Sequence, residues 1–233
     1  MKANSDLIDR IKEFFKRYPK IYYGIVWFLG PMLYRDKSYK IMAQSLPKNA
    51  RIINLGSGPI KLMEGVIDLD IFPHKNVDLL GDVQALPFKD ASISGVINIA
   101  LLEHVKDTRI VINEIRRVLK PGGYVYTVTP FIFGFHASPN DFYRWTSEGL
   151  KMLFTGFQEV ASGVHSGPTS GLLSILQEWL AMLFSFQNKY LYQALWVVFM
   201  VILSPFKILD YYLCRHPLGY KISGSIYYLC KKQ

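Results

Sequence analysis

The chain has 233 residues, half of them hydrophobic, with 27 Lys and Arg against 18 Asp and Glu and a formal net charge of +9. That length fits one α/β domain with elaborations better than two independent domains, and it buries a full core without metals or disulfides. A basic chain this apolar points to an anionic membrane surface rather than to nucleic acid. Cys214 and Cys230, with no Cys/His cluster at metal-ligand spacing, argue against a secreted disulfide scaffold and leave no metal expected.

In chain order, Asp6–Tyr18 reads as an amphipathic helix with Leu7, Ile11, Phe14 and Phe15 on one side and Arg10, Lys12, Lys16 and Arg17 supplying much of the other. Ile21–Tyr34 is aromatic and apolar, either a helix on the core or an interfacial membrane contact. It does not read as a signal peptide, because a long charged helix precedes it and Gly30-Pro31 break it. A short helix is expected over Lys37–Ser45. From Arg51 the pattern turns to short apolar strands: Arg51–Leu55, Gly65–Ile71, Val77–Leu80 and Gly95–Ile99. An amphipathic helix Thr108–Leu119 comes next, closed by Lys120-Pro121-Gly122-Gly123, whose glycines offer a positive-φ exit and a tight turn into a fifth strand, Tyr124–Thr129. Thr146 caps a helix Thr146–Phe154, with Glu148 in its first turn. Glu159–Val164 and Ser223–Lys232 read as further strands. Strands alternating with helices predict a mostly parallel sheet covered on both faces.

The ordered stretches Ile52-Ile53-Asn54-Leu55-Gly56-Ser57-Gly58, Val66-Ile67-Asp68-Leu69-Asp70-Ile71, Gly81-Asp82-Val83-Gln84-Ala85-Leu86-Pro87-Phe88, Leu102-Glu103-His104-Val105 and Arg117-Val118-Leu119-Lys120-Pro121-Gly122-Gly123 resemble the class I S-adenosylmethionine-dependent methyltransferases, specifically the methyltransferase type 11 group. The resemblance covers roughly Arg51 to Phe157. It implies an α/β fold, a Rossmann-like seven-stranded mostly parallel sheet, with the final strand returning antiparallel between the fifth and sixth. It also implies S-adenosylmethionine as cofactor. Gly56, Ser57 and Gly58 would let backbone approach its methionine part, with Asn54 beside them. Asp70 would accept both ribose hydroxyls, Asp82 and the backbone at Val83 would read the adenine edge, and Leu102–His104 would line the other side. For Asp82 the structural alternative is a turn residue capping the next helix. Two departures stand out. Asn54 replaces the usual acid that helps hold the methionine amino group, and Pro59–Glu64 is too short for the usual full helix.

Methyl transfer asks a protein mainly to align the acceptor and, for a hydroxyl, to remove its proton. The loop after the fifth strand gathers His136, Asp141, Tyr143, Arg144 and Trp145. It is similar to the His…Pro-x-Asp-Tyr-x-Arg-x-Thr signature of a subgroup found with glycan and lipopolysaccharide gene clusters. On that reading His136 is the base, Asp141 orients it or acts itself, His104 is a second base candidate, and Tyr143, Arg144 and Trp145 bind acceptor. The structural alternative is an Asp141–Arg144 pair that fixes the loop with Trp145 buried beneath.

Two apolar segments, Leu172–Phe186 and Tyr190–Leu213 interrupted at Pro205, form a helical insertion between strands six and seven. A membrane-associating hairpin in one leaflet is favoured over full crossing, with a homodimer interface as the structural alternative. Being an insertion on that connection, it should stand beside the acceptor pocket, with Lys207, Arg215, Lys221, Lys231 and Lys232 facing anionic head groups. The expected organisation is an N-terminal helical segment over residues 1–46, a methyltransferase domain over 47–170 and 216–233, and the insertion over 171–215. The functional expectation is methylation of a hydroxyl on a lipid-linked glycan or glycolipid at the cytoplasmic side of a membrane, with membrane lipids as partners. A quinone or isoprenoid-lipid methyltransferase and a non-catalytic membrane adaptor that kept the fold are the alternatives.

Overall fold

The first strand, β1 (Ile52–Leu55), is buried at all four positions, as a strand covered on both faces must be. The computed structural model describes residues 24, 28–30, 32–34, 38–59, 61–137 and 139–233. The helix expected over Asp6–Tyr18, and most of Ile21–Tyr34, lie outside them. The chain forms two compact units: Arg35–His165 with Ser225–Gln233, and the described residues up to Tyr34 with Ser166–Gly224.

The first unit holds α1 (Ser38–Gln44), β1, β2 (Val66–Asp70), β3 (Leu79–Leu80), β4 (Ile93–Ile99), α2 (Thr108–Val118), β5 (Leu119–Pro130), α3 (Ser147–Leu153), β6 (Phe157–Ser166) and β7 (Ser225–Lys232). The seven strands form one sheet in the order β3-β2-β1-β4-β5-β7-β6. Pairing is parallel from β3 across to β5, and β7 runs antiparallel to β5. Strand order reverses between β1 and β4, so the loops leaving these two strands diverge at the carboxyl edge, where ligands bind in open α/β sheets.

Alternation along the strands feeds two cores. Ile53, Leu55 and Val96 meet Val111, Ile112, Ile115 and Val118 of α2 and Leu150 of α3 on one face. Ile52, Ile97 and Tyr126 meet Tyr39 and Met42 of α1 on the other. The N-terminal helix over 38–44 therefore belongs to the sheet unit. Asp107 caps α2 by accepting from the Arg109 N–H at 3.1 Å. At the other end of α2, Arg117 binds Glu114, Asp90 and the carbonyls of Leu86 and Phe88, while Glu114 accepts the Leu86 N–H at 2.8 Å. These bonds anchor the loop that carries Asp82.

Two expectations are corrected. The fifth strand starts at Leu119, directly after α2, not at Tyr124. Gly122, at φ +75°, sits within a bulge, since register passes from Ile93–Leu119 to Gly95–Tyr124. The third strand shrinks to two residues because the Val77 N–H turns back to the His74 carbonyl.

The second unit contains α4 (Pro168–Phe184) and α5 (Lys189–Leu203), then a 3₁₀ segment Ser204–Leu209, the short helix α6 (Asp210–Leu213) and a 3₁₀ turn Gly219–Ile222. Asn188 caps α5 through the N–H groups of Tyr190 and Leu191. The unit is wider than the expected 171–215 because the first turn of α4 is tied to later residues. Asp210, fully buried, accepts from the Thr169 and Ser170 N–H groups at 2.8 Å and from the Ser170 hydroxyl at 2.6 Å. Polar groups face inward elsewhere too: Glu178 accepts from the Trp196 indole at 2.7 Å and from the Tyr192 hydroxyl, and Gln177 donates to the Trp196 carbonyl. Outside, Leu172, Trp179, Met182, Phe186, Tyr190 and Ile202 are exposed. Lys189–Leu213 is one helical run of 25 residues, and an 18-residue stretch of it has mean hydropathy 1.7 with only 11% of that stretch buried.

Not all five basic residues expected at head groups are free for that part. Lys207 donates to the carbonyls of Phe28 and Gly30, and Lys232 to those of Arg116 and Leu119. Lys231 lies over the Tyr124 ring. Arg215 and Lys221 are exposed.

Candidate functional site

At the carboxyl edge, the turn after β1 carries two glycines in the left-handed region, Gly56 at φ +63° and Gly58 at φ +62°. A Cβ on Gly56 would stand 2.7 Å from Leu101 Cδ1, so close approach of two loops also demands glycine there. At Gly58 a Cβ would meet nothing within 4 Å. Space is thus open beside Gly58 at the strand end. The Ser57 N–H donates to the Leu69 carbonyl at 3.2 Å, and the Gly58 N–H donates to Asp70 Oδ2 at 2.8 Å. Asp70 Oδ1 accepts from the Phe72 N–H at 2.9 Å, and its carbonyl accepts the Gly81 N–H at 3.0 Å. Gly56, Asp70 and Asp82 therefore belong to one connected rim.

Asp82 is exposed and accepts the Gln84 N–H at 2.8 Å, an Asx turn that leaves its second oxygen outward. Val83 packs against the core and Leu102 is fully buried. Ser57 Oγ is buried with no hydrogen-bond partner among the described residues. Asn54 donates to Asp68 Oδ1 at 2.9 Å, so its amide is committed within the sheet. Burial raises the Asp68 carboxyl above its ordinary value, opposed by that hydrogen bond and by Lys61 at 3.8 Å.

A second group assembles beside the loop after β4. Ala100, at φ +52°, turns the chain into a 3₁₀ turn, Leu102–His104, which drives Leu102 and Glu103 inward. The loop after β5 returns to the same place. The Phe142 N–H donates to the Glu103 carbonyl at 2.7 Å, and the Asn140 carbonyl lies 2.5 Å from His104 Nδ1. The His104 and His136 rings meet edge to face with centroids 5.1 Å apart. Glu103 Oε1 lies 3.9 Å from His104 Nε2 and 3.7 Å from His136 Nε2. Glu103 is a further candidate, expected from sequence only as part of a stretch lining the cofactor; its signal was an acid enclosed in Leu-Leu-Glu-His-Val immediately after a buried strand.

Asp141 and Arg144 fix this loop. Arg144 donates to both Asp141 oxygens, at 2.5 and 2.7 Å, and to the carbonyls of Phe133, Gly134 and Tyr143. Asp141 also accepts the His136 backbone N–H at 2.8 Å, and its Oδ2 lies 3.5 Å from His136 Nδ1. Hydrogen bonding from Arg144 holds the Asp141 carboxyl down at about 2, too weak a base to take a proton near neutrality. Its geometry is that of a positioning residue for His136. The Tyr143 hydroxyl donates to the Lys106 carbonyl at 2.7 Å, its ring lies 5.1 Å from that of Trp145, and Trp145 packs on the core.

Residues 64–127 match the family described as a methyltransferase domain. A protein of 37.1 kDa encoded in transposon TN4556 of Streptomyces fradiae, itself uncharacterized, is 32% identical over 82 residues, 35% of this chain and 24% of that protein. The chain thus spans about a quarter of that relative's length. Among solved structures, a protein assigned as a sarcosine dimethylglycine methyltransferase from Galdieria sulphuraria superposes with TM-score 0.56 at 17% identity, over 97% of this chain and 99% of its own. The [4+2]-cyclase SpnF gives 0.51 at 13% identity over 95% and 94%. Phosphoethanolamine N-methyltransferase 2 of Haemonchus contortus, in complex with S-adenosyl-L-methionine, gives 0.50 at 16% identity over 95% and 59%. The fold is that of the class I S-adenosylmethionine-dependent methyltransferases, and the domain match agrees with it. A cyclase on the same fold shows that the reaction must be argued from the site.

Proposed function

From a methyltransferase domain on the class I fold, we propose that this chain transfers a methyl group from S-adenosylmethionine to a hydroxyl of a lipid-linked glycan or glycolipid, working at a membrane surface. The observation that carries the cofactor reading is the single rim joining Gly56, Gly58, Asp70 and Gly81-Asp82. The residues fit the group: the open space beside Gly58 leaves room for it, and the orphaned Ser57 hydroxyl supplies a donor. Each Asp70 oxygen has taken one backbone N–H and keeps a lone pair for a ribose hydroxyl. Asp82's outward oxygen and the Val83 backbone suit an adenine edge. When bound, S-adenosylmethionine supplies a sulfonium-activated methyl group. His136 Nε2, with His104 Nε2 close by, accepts the proton of an acceptor hydroxyl, and buried Glu103 stabilises the imidazolium so formed.

The inverted second unit supports the membrane reading. With Gln177, Glu178 and Asp210 satisfied inward, its outer surface offers Trp179, Met182 and Phe186 to apolar surroundings. Arg215 and Lys221 suit anionic head groups on the cytoplasmic leaflet. A polar, histidine-bearing loop favours a sugar acceptor over a quinone ring. Calorimetry tests the enzyme reading: S-adenosylmethionine should bind with a one-to-one stoichiometry. No heat at about millimolar cofactor, about −4 kcal/mol of affinity or weaker, leaves only an adaptor that kept the fold. Flotation with liposomes containing anionic lipid tests the membrane reading, and a chain that stays at the bottom of the gradient removes it.

A further inference from the structure

The geometry points to Glu103, His104 and His136 as a binding site for one divalent transition-metal ion. One ligand atom from each lies within 4.8 Å of the other two. Glu103 is fully buried, and neither of its carboxylate oxygens has a hydrogen-bond partner among the described residues. A buried carboxylate without donors is strongly disfavoured unless a cation answers it.

The histidines do not answer it by hydrogen bonding. Separations of 3.7 and 3.9 Å from Oε1 to the two Nε2 atoms are too long for N–H···O contacts. They suit two atoms flanking a metal. Ligands about 2.0–2.1 Å from a tetrahedral zinc stand about 3.3 Å apart, so side-chain shifts of a few tenths of an ångström close both edges.

The ring orientations agree. His104 Nδ1 sits 2.5 Å from the Asn140 carbonyl, which keeps the proton on Nδ1 and the lone pair on Nε2. His136 Nδ1 has the Gly134 carbonyl at 3.4 Å, the Arg144 guanidinium at 3.4 Å and Asp141 Oδ2 at 3.5 Å around it, so its Nε2 is the ring nitrogen turned to Glu103. Both imidazoles thus present Nε2 to the carboxylate, with Nδ1 engaged behind. Two histidines and one carboxylate on one side of an ion leave the opposite side open, a donor set suited to zinc or iron(II).

Metal binding is independent of methyl transfer. Its use would rest on the methyl-transfer reading: an acceptor hydroxyl entering the open position would lose its proton more readily on the ion than in water. With the ion bound, the Nε2 lone pairs are spent as ligands, so His136 no longer takes the proton as it does in the metal-free site, and the proton passes to solvent.

The test uses the full chain, stripped with a chelator and titrated with Zn²⁺ by calorimetry and with Co²⁺ by visible absorption. One equivalent should bind, and Co²⁺ should give a visible absorption band. Glu103→Gln should weaken binding by on the order of 100-fold. The double variant His104→Asn/His136→Asn should abolish both signals, while His216→Ala, on the surface, should keep them. If Glu103→Gln fails to fold, the double variant decides, because both imidazoles are partly exposed. No saturable binding of either ion up to about 1 mM, or binding that the double variant retains, overturns the site. Failure of S-adenosylmethionine to bind while zinc does sinks the methyl-transfer reading alone.

Discussion

The two units of this chain solve opposite solvation problems with similar residues. The sheet unit buries Ile53, Leu55, Val96 and Ile115 and leaves polar groups at its carboxyl rim. The helical unit turns Gln177, Gln193 and Asp210 inward and leaves Trp179, Phe186 and Tyr190 outside. Hydrophobic content alone therefore says little about where a segment belongs; the direction in which its few polar groups point says much more. In the sheet unit polar groups gather at the carboxyl edge, and some of them, such as the Ser57 hydroxyl and the Glu103 carboxylate, are buried there with hydrogen-bonding capacity left over. In the helical unit Gln177, Glu178 and Asp210 find their partners internally, as a segment needs if its outer surface is to leave water.

The largest break should come from Asp210. Asp210→Ala strips a partner from two N–H groups and one hydroxyl, all buried, and should cost about 3–5 kcal/mol in the helical unit. Limited proteolysis should then cut within Ser166–Gly224 while the sheet unit resists. If both units fail together, they are not separately stable and the contrast loses its energetic meaning.

Next in size, Trp179→Ser with Phe186→Ser should reduce liposome partitioning by about 100-fold, about 3 kcal/mol from area lost, leaving S-adenosylmethionine affinity unchanged. Unaltered flotation would show that the apolar outer surface faces something other than lipid. Conversely, Asp70→Asn should weaken S-adenosylmethionine by about 2 kcal/mol and leave flotation untouched, since it changes only the rim. The smallest effect concerns the loop anchor. The hydrogen bond from Arg117 lowers the Glu114 carboxyl below its ordinary value of 4.5. A depressed acid stabilises the fold above its unfolded pKa, and that contribution disappears as pH falls through the folded value. Denaturant melts should show wild type ahead of Glu114→Gln by under about 1 kcal/mol near pH 6, with the gap closing toward about pH 3.

The strands were legible because a sheet covered on both faces needs apolar side chains along most of each strand, and β1, β2, β4 and β7 are built mainly from Ile, Val, Leu and Tyr. Thr146 announced α3, and its hydroxyl does accept the Gly149 N–H. The third strand and the start of the fifth were misread, since both depend on where hydrogen bonds are spent: Val77 on His74, and Lys120–Gly123 on a bulge. Lys207 and Lys232 read as surface charge, but long side chains reach distant carbonyls that no local pattern reveals.

By itself the sequence determined the sheet, its glycine-lined edge and the two apolar helices, because these follow from backbone conformation and short-range periodicity. Only the tertiary structure decided that Glu103 stands unpartnered between two histidines, that Asp141 and Arg144 serve the loop, and that Asp210 closes the start of α4. Each of those outcomes joins residues through folded geometry: a carboxylate's role is set by which donors reach it, and spacing along the chain does not encode that.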